Sequence, residues 1–139
     1  MELAELIAKA EQDHKAEMAE LVRNKLSLER QYADYADEWE SAMKAYREAE
    51  AKWEETAEET WGCDEEVDAW DRELYGDYYD EFVEEHRYYA DGIEWEMNQV
   101  QKKIYDCENL MEQSEITLTA KIAALTKEHQ ETAVLRWLN

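Results

Sequence analysis

The sequence predicts an all-α fold, a long antiparallel helical hairpin with a coiled-coil stalk and a short extra helix at its acidic tip. Three observations support this class. The 139 residues contain no Pro and only three Gly, so helix breakers are scarce. Apolar residues recur at spacings of three and four, as on one face of a helix. Strict apolar–polar alternation, which is typical of strands, is absent. The length fits a single domain, residues 1–139.

The first predicted helix covers about residues 2 to 60. Its apolar seam, the stripe that faces a partner helix, is marked in the second half by aromatic residues at a strict spacing of seven: Tyr32, Trp39, Tyr46 and Trp53. Upstream, a 3–4 alternation runs from Leu3 to Leu28, with His14 and Lys25 as polar interruptions. We expect the aromatic residues to form the core rather than a recognition surface.

The second long helix is predicted over residues 93–138. Its seam runs from Ile93 through Cys107 and Ser114 to Leu118 and continues to Thr132, with a slip of one residue near Lys121. Ser114 and the β-branched residues after it are compatible with a bend or a new helix start.

Between these helices the pattern predicts two stops. Gly62 is suited to a helix C-cap and Asp64 to the next N-cap, so a short helix is expected over about residues 65–75. Gly76 and Asp77 repeat the same combination. A further apolar stripe follows: Tyr79, Phe82, Val83, Tyr89 or Ala90, and Ile93. Gly92 is interpreted as a hinge or a close-packing point.

The predicted hairpin divides into two parts. Residues 1–33 and 97–139 would form a nearly neutral stalk, and residues 34–96 an acidic, aromatic-rich head. A four-helix bundle broken near residues 31 and 114 is the alternative. Because two helices alone bury little surface, we expect a homodimer through the stalk.

The distribution of charge is the strongest functional observation. The formal net charge is −22, and residues 34–96 alone carry 24 acidic and five basic residues. The same segment contains five of the six Trp and seven of the nine Tyr. Acidic disordered tails are poor in aromatic residues, so this segment is expected to be folded.

Few motifs in the sequence indicate catalysis or metal binding. We therefore expect neither an enzymatic activity nor a cofactor. A di-iron bundle needs two Glu-x-x-His motifs, and only Glu11–His14 has that spacing. The acidic stretch after Cys63 lacks the spacing and the Gly of a calcium loop. The two Cys form no CxxC pair, which favours reduced thiols in a cytoplasmic protein.

Membranes and nucleic acids are not expected as partners. A secretory leader is not evident, and no apolar run approaches the ~20 residues of a membrane span. Membrane-surface helices present Lys and Arg, whereas this chain presents carboxylates. A strongly anionic head also repels phosphates, so direct DNA or RNA binding is not expected.

A basic protein surface is therefore the expected partner. At the helical rise, a hairpin end of 63 residues spans about 45–50 Å, which places one net charge every ~2.5 Å. Duplex DNA carries one per about 1.7 Å. The predicted contact residues are Glu54, Glu55, Glu58, Glu59, Asp64, Glu65, Glu66, Asp68, Asp71, Glu73, Asp77, Asp80, Glu81, Glu84 and Glu85, with Tyr75 and Tyr78.

In size, charge density and helical composition the chain resembles the acidic DNA-mimic inhibitors of phages and mobile elements, of the anti-CRISPR and anti-restriction type. The resemblance implies occupation of a nucleic-acid channel in a host defence nuclease, within the host cytoplasm. The alternative is a non-enzymatic coiled-coil scaffold or assembly chaperone. For that class the carboxylates would form a solvated face, or would shield basic segments of an assembling protein.

Overall fold

The computed structural model describes residues 2–61 and 69–138, with the side chains of residues 2–55 and 81–138. Two helices, α1 (Leu3–Trp61) and α2 (Ala69–Leu138), pack against each other as a hairpin, and no strand occurs in these residues. The predicted all-α class is confirmed. Within the part of the chain that the structure describes, no helix is apolar enough over a sufficient length to cross a membrane.

Both helices are more continuous than the sequence predicts. Residues near 31 and 114 lie inside α1 and α2, so the four-helix alternative is wrong. Gly76 and Asp77 also lie inside α2, and residues 69–75 therefore belong to this helix and not to a separate short one. A glycine inside a helix costs only about 1 kcal/mol relative to Ala, which a long helix tolerates. The predicted caps at Gly62 and Asp64 lie outside the described residues.

The β-branched residues after Ser114 neither bend nor restart α2. The Thr119 hydroxyl donates to the Glu115 carbonyl at 3.0 Å, and the Thr126 hydroxyl donates to the Ile122 carbonyl at 2.8 Å. Each hydroxyl is thus satisfied one turn back within the same helix, which removes the need for a cap or a break.

The chain divides into two compact units, and each helix contributes to both. The acidic unit is residues 30–100, and the arm unit is residues 1–29 with 101–139. The acidic unit carries 24 acidic and six basic residues, a net charge of −18. The arm unit carries 13 acidic and nine basic residues, a net charge of −4. The acidic residues of 34–96 thus all lie in one structural unit, whose bounds, residues 30 and 100, are close to those of the acidic head.

Small residues form the centre of the acidic unit. Ala42 and Ala90 are buried together with Ile93. Because alanine side chains are short, the two helix backbones can approach closely here. Partly buried apolar residues then pack around this cluster: Tyr35, Trp39, Met43 and Met97.

The aromatic seam of α1 is only partly buried. Tyr32, Trp39, Tyr46 and Trp53 all retain some exposure, because a single neighbouring helix covers only one side of a large ring. On α2 the buried stripe consists of Val83, Ala90, Ile93 and Val100. Phe82 was predicted in this stripe but is 54% exposed, and Ala90 rather than Tyr89 occupies the seam.

Gly92 is not a close-packing point. It is exposed within α2, and a Cβ atom added there would meet nothing within 4 Å. The position therefore has no steric requirement for glycine.

The polar interruptions of the arm unit pair across the two helices. His14 Nδ1 lies 3.0 Å from the hydroxyl oxygen of Ser114, which is buried. Lys25 Nζ lies 3.2 Å from a Glu108 carboxylate oxygen and 3.8 Å from one of Glu29. As the α1 numbers rise the α2 numbers fall, so the helices of this unit run antiparallel. His14 is thus paired with another predicted seam residue, whereas Glu108, the partner of Lys25, was not predicted in the seam.

Candidate partner-binding surface

Five of the 17 predicted contact residues have described side chains: Glu54, Glu55, Glu81, Glu84 and Glu85. All of these side chains are exposed except that of Glu84, which is half-buried. The others lie in α1 or α2 with side chains outside the described set: Glu58, Glu59, Asp71, Glu73, Tyr75, Asp77, Tyr78 and Asp80. Asp64, Glu65, Glu66 and Asp68 lie outside the described residues.

Exposed carboxylates occur throughout the part of residues 34–96 whose side chains the structure describes. Residues 34–55 and 81–96 contain 14 acidic side chains, of which 12 are exposed and two, Glu50 and Glu84, are half-buried. No acidic side chain in these two stretches is buried in the core. Their charge is therefore available to a partner in solvent.

Internal neutralisation of this charge is slight. Arg87 forms an ion pair with Asp91, at 3.2 Å along one helix turn. Arg87 also lies 5.5 Å from the ring centroid of Tyr46, where the cation meets the face of the ring. This pair involves one of the 14 carboxylates of these stretches, so the surface remains strongly anionic.

Like charges are neighbours on both helices. Asp34 and Glu38 on α1, and Glu81 and Glu85 on α2, are spaced four residues apart and exposed. Such pairs destabilise a helix by about 0.2–0.5 kcal/mol each. At about 100° per residue, the acidic positions of residues 34–55 occupy all sides of α1 except the seam. The surface is thus a negative field around the helix and not a single acidic face.

An open acidic groove was not predicted from the sequence. It encloses about 500 Å³ and is lined by Asp34, Asp37, Glu38, Ser41, Ala42, Ala45, His86 and Tyr89. The three carboxylates follow the i, i+3, i+4 spacing of one helix face. Small residues at 41, 42 and 45 leave the space. Both features are visible in the sequence, but only the packing places His86 and Tyr89 opposite them.

The groove has the chemistry of a receptor for a basic side chain. Its floor contains the methyl groups of Ala42 and Ala45, along which the apolar stem of Lys or Arg can lie. Its carboxylates can then accept hydrogen bonds from the cationic end of that side chain. Tyr89, which is 63% exposed, offers a ring face to a guanidinium group.

Exposed aromatic side chains accompany the charge. Tyr88 is 70% exposed, and Trp95 is 59% exposed. Tyr89, at 63%, adds a third exposed ring to this segment. Such rings act as anchors in protein interfaces when a partner covers them.

No group of three or more metal-ligating side chains occurs in the described ranges. Comparisons of the chain with protein-family models, with curated proteins and with solved structures found no match.

Proposed function

We propose that this protein is an inhibitor that presents a DNA-like or RNA-like negative surface to the nucleic-acid-binding site of a host defence nuclease. The nuclease is of the CRISPR-Cas or restriction type. The single observation that supports this function best is the set of exposed carboxylates in residues 34–55 and 81–96, nearly all without a basic partner within those stretches.

The charge density is of the same order as that of a nucleic acid. The described stretches of the acidic segment contain 14 acidic and four basic residues, a net charge of −10. Residues 34–55 extend about 33 Å at the helical rise, and residues 81–96 pack alongside them. The two stretches together therefore carry one net charge per ~3.3 Å of this length. Duplex DNA has one per about 1.7 Å. A basic channel shaped for phosphates would meet about half of the charge that it normally binds.

Folding alone does not account for this charge. Mixed Glu and Lys faces would stabilise the same helices, whereas the like-charge neighbours found here oppose them. A negative field does serve association, since it steers the chain towards a basic cleft and weakens with salt. The acidic groove then supplies a specific place for a Lys or Arg of the nuclease.

A competition assay tests this function. The probe is a fluorescent 20-base-pair duplex, bound to members of a panel of RNA-guided nucleases and restriction endonucleases. We expect the protein to displace the duplex at about 50 mM salt and far less at 200 mM salt. If the protein displaces the duplex from none of these nucleases at low salt, the proposal is wrong.

A matched pair of charge-reversal variants locates the surface. Glu81→Lys with Glu85→Lys changes two exposed acids of the acidic unit that are four residues apart. Asp13→Lys with Glu17→Lys makes the same change in the arm unit, where both residues are also exposed. We expect the first variant to lose about tenfold in affinity for the nuclease and the second to lose little. Equal losses would show that only total charge matters.

A second candidate function is a non-enzymatic coiled-coil scaffold or assembly chaperone. It is favoured by exposed apolar residues on the arm unit, Leu135 and Trp137 among them, because assembly proteins present such surfaces to partners. A scaffold leaves nuclease–duplex complexes intact in the same assay. Co-assembly of the protein with a structural protein would then be the positive result.

A further inference from the structure

The last turns of α2 stay exposed, although the first turn of α1 lies beside them: Leu3 and Leu6 line an open groove with Ala133 and Trp137. Every residue from 127 to 138 is exposed, although all of them are helical. Just before this stretch, Ile122, Leu125 and Thr126 are still half-buried. Helices in proteins gain most of their stability from an apolar face that packs against a neighbour, and this segment leaves most of its apolar face exposed.

This segment carries the most exposed apolar patch in the described part of the chain. Val134 is 58% exposed, Leu135 61%, Trp137 88% and Leu138 70%. The first two also line a shallow groove with Lys127, Gln130 and Glu131. Scattered apolar residues on a surface are ordinary, but four large ones within five residues mark an interaction site.

The segment is also locally neutral. Lys127 and Arg136 balance Glu128 and Glu131, so residues 127–138 carry no formal net charge. The acidic unit, by contrast, carries −18. Two copies of a chain with net charge −22 repel each other, and they approach most easily where the local charge is zero.

The isolated chain exposes more surface than a compact monomer of the same mass, which leaves enough area for such a contact. The accessible surface is 11056 Å² for a mass of 16.6 kDa. A compact monomer of that mass exposes about 7,600 Å². The excess is larger than the roughly 1,200–2,000 Å² that a standard protein interface buries. In the arm unit, the buried residues among those described are Ala10 and Ser114, so this unit has little core of its own.

We propose that residues 127–138 of α2 form a homodimer interface, in which Val134, Leu135, Trp137 and Leu138 pack against the same segment of a second copy. A two-fold axis makes such a contact self-complementary, because the same patch serves both chains. The sequence predicted association through the whole stalk, and this proposal limits the contact to residues 127–138. The inference does not depend on the proposed inhibition.

Sedimentation velocity of the full chain tests the interface, with a matched pair of leucine variants. We expect the wild type to sediment at twice 16.6 kDa. Leu135→Glu should raise the dimer dissociation constant at least about tenfold. Leu110→Glu makes the same change on the same helix at similar exposure, 55% against 61%, and should leave the dimer intact.

Trp137→Ala controls for folding. Because Trp137 is 88% exposed, its loss should weaken the dimer while the two helices stay folded, so that any loss of helical circular dichroism is confined to the size of the last turns of α2. A wild type that stays monomeric at about 100 μM overturns the proposal, as does equal weakening by Leu110→Glu. A monomer that instead binds phosphatidylcholine vesicles through this segment overturns it in favour of a lipid surface.

Salt separates this inference from the inhibitor function. Added salt screens the repulsion between two −22 chains, so the dimer should become tighter. Competition with the duplex for a nuclease should become weaker over the same range. Either result can therefore fail without the other.

Discussion

Replacement of Ile93 by Ala tests the packing at the centre of the acidic unit. Ile93 is 7% exposed and lies in the cluster with Ala42 and Ala90. The substitution removes three carbon atoms, worth about 0.8 kcal/mol each when buried, and the cavity left behind adds to this. The better helix propensity of Ala restores about 0.5 kcal/mol. We expect a net loss of about 2–3.5 kcal/mol in the free energy of unfolding.

Ile116→Ala is the matched control. Ile116 lies on the same helix but is 53% exposed, so the same chemical change removes about half of the transfer term and leaves no cavity. After the gain in helix propensity, its expected cost is about 0.6 kcal/mol. Urea unfolding followed by circular dichroism at 222 nm should separate the two midpoints by about 1 M, at an m-value near 2 kcal/mol/M. Midpoints that agree within the error of the fits would refute the assigned core.

Three further predictions concern other elements. Gly92→Ala should raise the unfolding free energy by about 0.5–1 kcal/mol, because a Cβ meets nothing there; a lower calorimetric midpoint would contradict this. A double-mutant cycle of His14→Ala and Ser114→Ala should give a coupling of about 0.5–1.5 kcal/mol, measured by urea unfolding, and a coupling near zero would mean that the 3.0 Å pair contributes nothing. Glu81→Lys with Glu85→Lys should leave the melting temperature unchanged or raise it, since two cations reduce the net charge and thus the self-repulsion of the acidic unit; a clear drop would show that these exposed side chains support the fold.

The long helices were predictable because local rules and packing agree over most of the chain. The predicted first helix, about residues 2 to 60, corresponds closely to Leu3–Trp61. The absence of Pro permits a continuous helix there, and the heptad spacing from Tyr32 to Trp53 favours one. His14 and Lys25 were recognised as seam positions, but their partners Ser114 and Glu108 depend on the register of α2, which spacing alone does not determine.

The predictions that failed depended on weak local preferences. Gly76 with Asp77 resembles a helix stop, but the cost of one glycine is small beside the cooperativity of a helix that continues on both sides. Phe82 fits an apolar stripe by composition but is exposed, whereas the smaller Val83 and, of the two alternatives Tyr89 and Ala90, the smaller Ala90 fill the seam. Side-chain volume at the contact, which the hydrophobic pattern ignores, decides between neighbouring positions.

The acidic groove shows the same limit at the candidate site. Its carboxylates are adjacent in sequence, but the groove exists because Ser41, Ala42 and Ala45 are small and because α2 places His86 and Tyr89 across from them. Sequence gives the charge, whereas helix packing gives the concavity. The contact residues predicted from charge alone therefore include none of the residues that line the acidic groove.

The uneven burial along α2 implies uneven local stability within one continuous helix. Val83, Ala90, Ile93 and Val100 are buried, whereas residues 127–138 bury nothing. Opening free energies follow such contacts, so in a single copy of the chain backbone amides around Ala90 should exchange with deuterium slowly, and those of the last turns rapidly. Fraying of that copy would begin at the exposed end of α2 without disturbing the acidic unit. A protease should cut this end first in the monomer, and dimerisation through residues 127–138 should protect it.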